Sequence, residues 1–258
     1  MNNFYIASRL AKVKHTDSEL IEFKTFFSKI QKDEKAQYDF FNYCKEWKLA
    51  PWIYSQLKSL ELFSKFSHEV QSLFADFAQK IYSENKSRLE EASRFLAVFQ
   101  KEGVDVVILK GNAFLSEIYG NLGYKKMNDF DMLIHLKDWV KVQKIYADLH
   151  YIPLGFGWGG EKQEVAKFSH TGLSYISPNY SCITGTQWGL KSPTSKYIVN
   201  IKDVWDKTET FIFQNLKVKQ LSPEYNLLHL ILHMGTYKCG IRDCMDIYNL
   251  LLVKSEFD

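Results

Sequence analysis

Cysteine is scarce in this chain of 258 residues: Cys44, Cys182, Cys239 and Cys244, with no CxxC pair and no zinc-ligand spacing. That argues against a disulfide-built scaffold and suits a reducing compartment, where thiols serve as small apolar side chains. With only 5 prolines and 13 glycines, the first hundred residues carry few breaks, which suits long helices. No apolar run reaches the length of a membrane span, and the opening MNNFYIASRL lacks the apolar core of a signal peptide. Nor is there an excess of one charge. The net charge of +3 is too small for the dense basic patch that binding a polyanion needs, and Lys125-Lys126 is an isolated pair. The expectation is a soluble cytoplasmic protein with no membrane partner.

What is present is apolar material for a core: 46% hydrophobic residues, with 19 Phe and 15 Tyr. From Ser87 to Lys101 the residues Leu89, Ala92, Phe95, Leu96 and Phe99 mark one helical face, and Gly103 stops that helix. The β-branched run Val104 to Leu109 reads as a buried strand. Lys110-Gly111-Asn112 is then a turn, Ala113 to Tyr119 a helix, Asp129 to Leu136 a second strand and Asp138 to Leu149 another helix. Gly155 to Ser195, rich in Gly, Ser and Thr, suggests a hairpin or a mobile segment. Ser222-Pro223-Glu224 has the form of a helix start, Ser as N-cap and Pro at the first position. A final helix from Ile241 to Leu252 ends close to the terminus, as in a truncated chain.

The chemistry-bearing pattern is Asp129-Phe130-Asp131 on the second strand. Alternation projects both carboxylates to one side, with Cα atoms about 6.5–7 Å apart, while Phe130, Met132 and Ile134 face the other. Two parallel carboxylates repel unless a cation lies between them, and hard oxygen ligands suit Mg²⁺ or Mn²⁺, which also bind substrate phosphates. The Lys110-Gly111-Asn112 turn supplies the complement. Its glycine permits close backbone approach, free N–H groups at a helix start attract anions, Lys110 adds a positive charge and Asn112 a donor. An anion site beside a divalent-metal site is what a nucleoside triphosphate requires.

The runs Val107-Ile108-Leu109-Lys110-Gly111-Asn112-Ala113, Tyr119 and Asp129-Phe130-Asp131-Met132-Leu133-Ile134 resemble the "LKGxAL…Y…R…DIDLLV" signature. That signature marks a poorly characterised nucleotidyltransferase family of the polymerase-β-like superfamily. Leu49-Ala50-Pro51-Trp52-Ile53-Tyr54 resembles the family's "hxxAPLLY" helix. The stretch from Leu221-Ser222-Pro223-Glu224 to His233, then Arg242-Asp243 to Asp246, resembles its C-terminal region. The resemblance implies an α+β fold: a polymerase-β-like nucleotidyltransferase core, a small mixed sheet with helices, flanked by helical regions. The boundaries expected are 1–95, 96–220 and 221–258. It implies Asp129 and Asp131 as catalytic metal ligands, Lys110, Gly111, Asn112 and Lys125 at the nucleotide, and Mg²⁺ or Mn²⁺ as cofactor. The reaction implied is in-line attack by an acceptor hydroxyl on the α-phosphorus of an NTP, with pyrophosphate leaving. ATP is the default nucleotide by abundance, and the acceptor is left open among small molecule, sugar, protein and RNA.

Two departures accompany the resemblance. Lys125 stands where the family has Arg, keeping the charge but losing bidentate phosphate geometry. The superfamily's third carboxylate falls on Gly185 through Ile183 to Leu190, or on Asn200 in an alternative register through Val199-Asn200-Ile201. Glu161 and Glu164 are substitutes, and a degenerate, binding-only protein is the alternative reading. Asp243 and Asp246 could extend the site by pairing with Arg242 or His233, against a capping or surface role. His229 and His233, four apart, have zinc-compatible spacing without an HExxH pattern, so packing or hydrogen bonding is the favoured reading. Trp158, Tyr180 and Trp188 could stack on a base, against membership of the core. No GxSxG elbow and no GxGxxG turn is present.

Overall fold

The structure, a computed structural model, describes residues 2–111, 118–155, 166–234 and 240–254. Asn112, Glu161, Glu164, Trp158 and Cys239, and most of the helix expected from Ala113, lie outside them. The described residues form two compact units, each built from non-consecutive segments: residues 1–85, 114–126 and 234–258 in one, 86–113 and 127–233 in the other.

The first unit holds α1 (Asn3–Leu10), α2 (Asp17–Ile30), α3 (Glu34–Glu46), α4 (Ala50–Ser59), the beginning of α5 (His68–Lys101) and α9 (Ile241–Val253). Helix starts are written in the sequence. Thr16 and Glu19 form a reciprocal capping box on α2, and Asp33 caps α3 through Ala36 N–H. The core is aromatic: Phe27 meets Phe40 edge-on at 5.4 Å, and Phe41 meets Phe74 at 4.8 Å. The C-terminal helix is tied in by Asn249, whose amide donates to Ala11 O at 3.0 Å and whose Oδ1 accepts from Val13 N–H at 2.9 Å.

The second unit is a seven-stranded mixed sheet with helices. Its strands are β1 (Val106–Ile108), β2 (Phe130–Ile134), β3 (Ile152–Leu154), β4 (Ser174–Ile176), β5 (Ile183–Gln187), β6 (Glu209–Phe213) and β7 (Leu216–Gln220). The order across the sheet is β3-β4-β5-β2-β1-β7-β6. The two central strands β1 and β2 are antiparallel, and each has a parallel neighbour on its other side, β7 beside β1 and β5 beside β2. Helices α6 (Trp139–Asp148), α7 (Ile201–Asp206) and α8 (Pro223–Met234) belong here, with the end of α5. Gly103 closes α5 in the left-handed region at φ +69°, with Val104 N–H returning to Phe99 O at 2.8 Å. One sheet face packs Phe130 against Phe95, with Met132 beside Tyr146. The other buries Val107, Leu109, Leu133, Leu190, Val204, Leu221 and Leu232 together. That second face carries the candidate site.

Candidate functional site

Strand β2 is buried along its whole length, so its one carboxylate has a defined environment. Asp131 is only 5% exposed, while Asp129, one residue before the strand, is open to solvent. Asp131 shares its face with Leu133, whereas Phe130 and Met132 point into the opposite core, as alternation requires. Strand β1 delivers the turn. Leu109 N–H donates to Asp131 O at 3.0 Å, which fixes the next residue, Lys110, beside the aspartate. Lys110 Nζ lies 2.7 Å from Asp131 Oδ2.

The backbone of that turn is strained at the lysine rather than at the glycine. Lys110 has φ +56°, a left-handed conformation that costs a non-glycine residue about 1–2 kcal/mol. Such strain persists only where surroundings over-determine it and is concentrated at functional positions. Here the ion pair with Asp131 is the visible restraint. Gly111 is partly buried at the start of the following segment.

The neighbouring strand carries one of the two positions expected for a third carboxylate. Strand β5 runs parallel to β2 with Gly185 directly opposite Asp131. A Cβ at Gly185 would stand 2.2 Å from Asp131 Oδ1, so Asp131 leans over the space that a side chain there would fill. Of the two positions drawn from the sequence, Gly185 is the one on a strand beside Asp131. Asn200 is not on a strand: it caps α7, accepting from Lys202 N–H at 3.1 Å. The segment read as strand there begins a helix because Asn at an N-cap satisfies an otherwise orphaned donor.

Two neighbouring carboxylates and one ammonium share this place in the fold. The protein atoms around Asp129 and the charge of Asp131 hold the Asp129 carboxyl above the usual carboxylate range, with Lys110 pulling the other way. The ammonium of Lys110 already does for Asp131 part of what a divalent cation would do. Two carboxylates are available as donors here; no cluster of three or more His, Cys, Asp or Glu placed to hold a metal occurs among the described residues. Two carboxylates completed by substrate phosphates and water are sufficient for Mg²⁺.

Lys125 has a buried partner. It belongs to the first unit, is 6% exposed, and its Nζ is 2.6 Å from Asp246 Oδ1. Tyr119 O–H donates to the same carboxylate, and Arg242 pairs with Asp243 at 3.0 Å. Burial lowers the Lys125 ammonium from its usual value although Asp246 favours its charged form. Asp246 thus pairs with Lys125 and Tyr119 and also favours the charged form of Arg242, which pairs with Asp243. Trp188 donates to Ser169 O at 2.9 Å and packs on Trp139 at 5.6 Å, a packing role. Tyr180 is 70% exposed. A cavity of about 360 Å³ in the second unit is lined by residues such as Gln100, Val106, Lys217 and Lys219, and by neither aspartate.

An Asp-x-Asp entering a central strand, a lysine-bearing turn on the adjacent strand and a mixed sheet with helices define a nucleotidyltransferase. The chain belongs to the uncharacterised nucleotidyltransferase family, whose model matches residues 33–258. Among solved structures it is similar to the lincosamide antibiotic adenylyltransferase LnuA in its lincomycin-bound form. There the identity is 17% and the TM-score 0.44, over 64% of this chain and 97% of that one. It is also similar to the antibiotic-resistance factor ANT(2'')-Ia, at 8% identity and a TM-score of 0.46, over 65% of this chain and 84% of that one. A third likeness is to an antigenic nucleotidyltransferase-like protein from Paracoccidioides brasiliensis, at 16% identity and TM-score 0.38, over 64% and 75% of the two chains. These likenesses are too remote to carry an argument about substrate. No curated protein matches the chain significantly.

Sequence reasoning missed two side chains and one backbone conformation. His170 and Lys191 sit in a stretch with no periodicity to place them. The left-handed backbone of Lys110 has no signature in a lysine.

Proposed function

We propose that the protein transfers a nucleotidyl group, AMP from ATP by default, to a hydroxyl-bearing acceptor, with Asp129 and Asp131 as ligands of Mg²⁺ or Mn²⁺. A bound divalent cation would supply neutralisation of the triphosphate's charge and of the charge developing at the α-phosphorus. The residues of this chain do the rest. Asp131 is held rigidly by β2 and by Lys110, so one carboxylate is preorganised while exposed Asp129 completes the pair. Lys110 exchanges Asp131 for a phosphate oxygen, and Gly111 with Asn112 lets the triphosphate approach the backbone. The acceptor oxygen forms the new bond to the α-phosphorus as the bond to pyrophosphate breaks, and the hydroxyl proton is released. The observation that carries this reading is the convergence of Lys110, Asp129 and Asp131 at the edge of one buried strand. A cytoplasmic location fits the free thiols of Cys44, Cys182 and Cys244.

Gly185 opposite Asp131 specifically favours a second reading, a fold that binds nucleotide without transferring it. Calorimetric titration with ATP, GTP, CTP and UTP, with Mg²⁺ or Mn²⁺, tests the site on wild type and Asp129→Ala/Asp131→Ala. Metal-dependent binding lost in the double variant is the expected result and names the base. A folded wild type that binds no nucleotide overturns the proposal, and binding without turnover over any acceptor leaves the second reading.

A further inference from the structure

Three chain segments each place a leucine in one apolar cluster and a basic or imidazole side chain beside it, and a fourth places Asp131 there. Leu109 precedes Lys110, and Leu133 follows two residues after Asp131, the partner of Lys110. Leu190 precedes Lys191, whose ammonium lies 3.3 Å from Leu232 O, and Leu232 precedes His233. On the buried face of α8, His229 lies one turn before His233, their rings 6.4 Å apart. His170 is brought in beside Gly189, where an added Cβ would stand 3.3 Å from the His170 Cβ. The leucines fix the positions of their neighbours, so the cationic groups are held together by the packing of the core.

His229 is 2% exposed, and its Nδ1 is buried with no hydrogen-bond partner among the described residues. A buried polar atom of this kind costs about 1–3 kcal/mol unless a ligand or water meets it. The set is not a metal cluster by the geometry of the described residues. We infer that Lys110, His170, Lys191, His229 and His233 form a binding site for a polyphosphate anion, the pyrophosphate end of the nucleotide. This rests on the nucleotidyl-transfer reading, since Lys110 joins the site to the aspartates.

In the free protein the site is held short of its full charge. Burial, then Lys110, His233 and His170, keep His229 well below the usual histidine value. Burial, then Lys191 and Lys110, lower His170. Lys110, whose charge bears on both imidazoles, is paired with Asp131. A polyphosphate reverses that balance and draws protons onto the imidazoles, so its binding strengthens as pH falls. Each proton taken up contributes up to about a tenfold gain in affinity per pH unit.

Inorganic pyrophosphate without metal is the probe, titrated calorimetrically at pH 6, 7 and 8 in buffers of different ionisation enthalpy. Wild type and His170→Gln/His229→Gln are compared, so that the ligand's own titration cancels; half-buried His170→Gln alone guards against misfolding of the double variant. The expected result is binding with more proton uptake in wild type than in either variant, and about tenfold weaker binding in the double variant. Equal affinity and equal uptake, or no pyrophosphate binding by wild type, overturns the inference. Metal-dependent ATP binding that survives in the same variants, but not in Asp129→Ala/Asp131→Ala, leaves the nucleotidyl-transfer reading standing while this one falls.

Discussion

Each unit contains a lysine–aspartate pair, and the two pairs differ in their surroundings. In the first unit Lys125 and Asp246 are both buried and closed over by the Tyr119 hydroxyl, with Arg242 and Asp243 nearby. In the second, Asp131 is buried but Lys110 is half-exposed, the neighbouring strand offers only Gly185, and solvent-exposed Asp129 adds a second negative charge. The closed pair has hydrogen-bond partners within its own unit. The open pair stands beside a left-handed lysine backbone and a second, exposed carboxylate, features of the kind found where ligands bind. Identical residue types therefore stand in unlike surroundings, and the proposed site is the open one.

The largest effect should come from the open pair. Asp131→Ala removes a metal ligand and the partner of Lys110, and nucleotidyl transfer followed by pyrophosphate release should fall by about a thousandfold, equivalent to roughly 4 kcal/mol. The closed pair should answer with stability. Asp246→Ala leaves Lys125 as an unpaired buried charge and should cost about 3–5 kcal/mol in urea unfolding. Lys125→Met/Asp246→Leu should recover most of that loss, because neither charge then remains in the interior. If Asp246→Ala is as stable as wild type, the distinction between the pairs fails.

Gly185→Ala sharpens the comparison further. Its Cβ would meet Asp131 Oδ1 at 2.2 Å, so the carboxylate must turn away from Lys110. A displacement of about 1 Å at a reacting centre can cost about a hundredfold, and turnover should fall by that order while the melting temperature changes little. The smallest effect belongs to Asp129→Asn. A carboxyl raised in the folded state carries a stabilising proton below the unfolded carboxylate value and loses it as pH rises through the folded one. At neutral pH the charged Asp129 therefore costs stability, and the variant should be more stable there. The gain should be at most about 1 kcal/mol given solvent screening, and should fade below the carboxylate range. A thermal melt series from pH 3 to 8 checks both sign and window.

Much of this was legible in the chain itself. Strands at 106–108 and 130–134, the stop at Gly103 and the Ser222-Pro223 helix start all rest on local rules: β-branched runs, glycine past a helix end, a capping hydroxyl. The placing of Gly185 against Asp131 was one of two registers the sequence offered, and the pairing of β5 with β2 shows it. Asn200 misled because a single polar residue between Val199 and Ile201 fits both a strand and a cap, and only the capping hydrogen bond decides. The partner of Lys125 stands 121 positions away on α9, and no local pattern pairs a lysine with an aspartate at that distance. His170 and Lys191 were invisible for the same reason, since it is the packing of distant leucines that carries them to Lys110. The three consecutive regions expected from texture and the two units assembled from non-consecutive segments describe different properties, composition along the chain and packing across it.

The most direct test of the central claim is Mn²⁺ binding followed by electron paramagnetic resonance, with and without ATP, on wild type and Asp129→Asn/Asp131→Asn. The account predicts bound Mn²⁺ in wild type, tightened by ATP, and neither bound metal nor ATP enhancement in the folded double variant. Equal Mn²⁺ and ATP binding by the two proteins would contradict it and remove the aspartates from the chemistry.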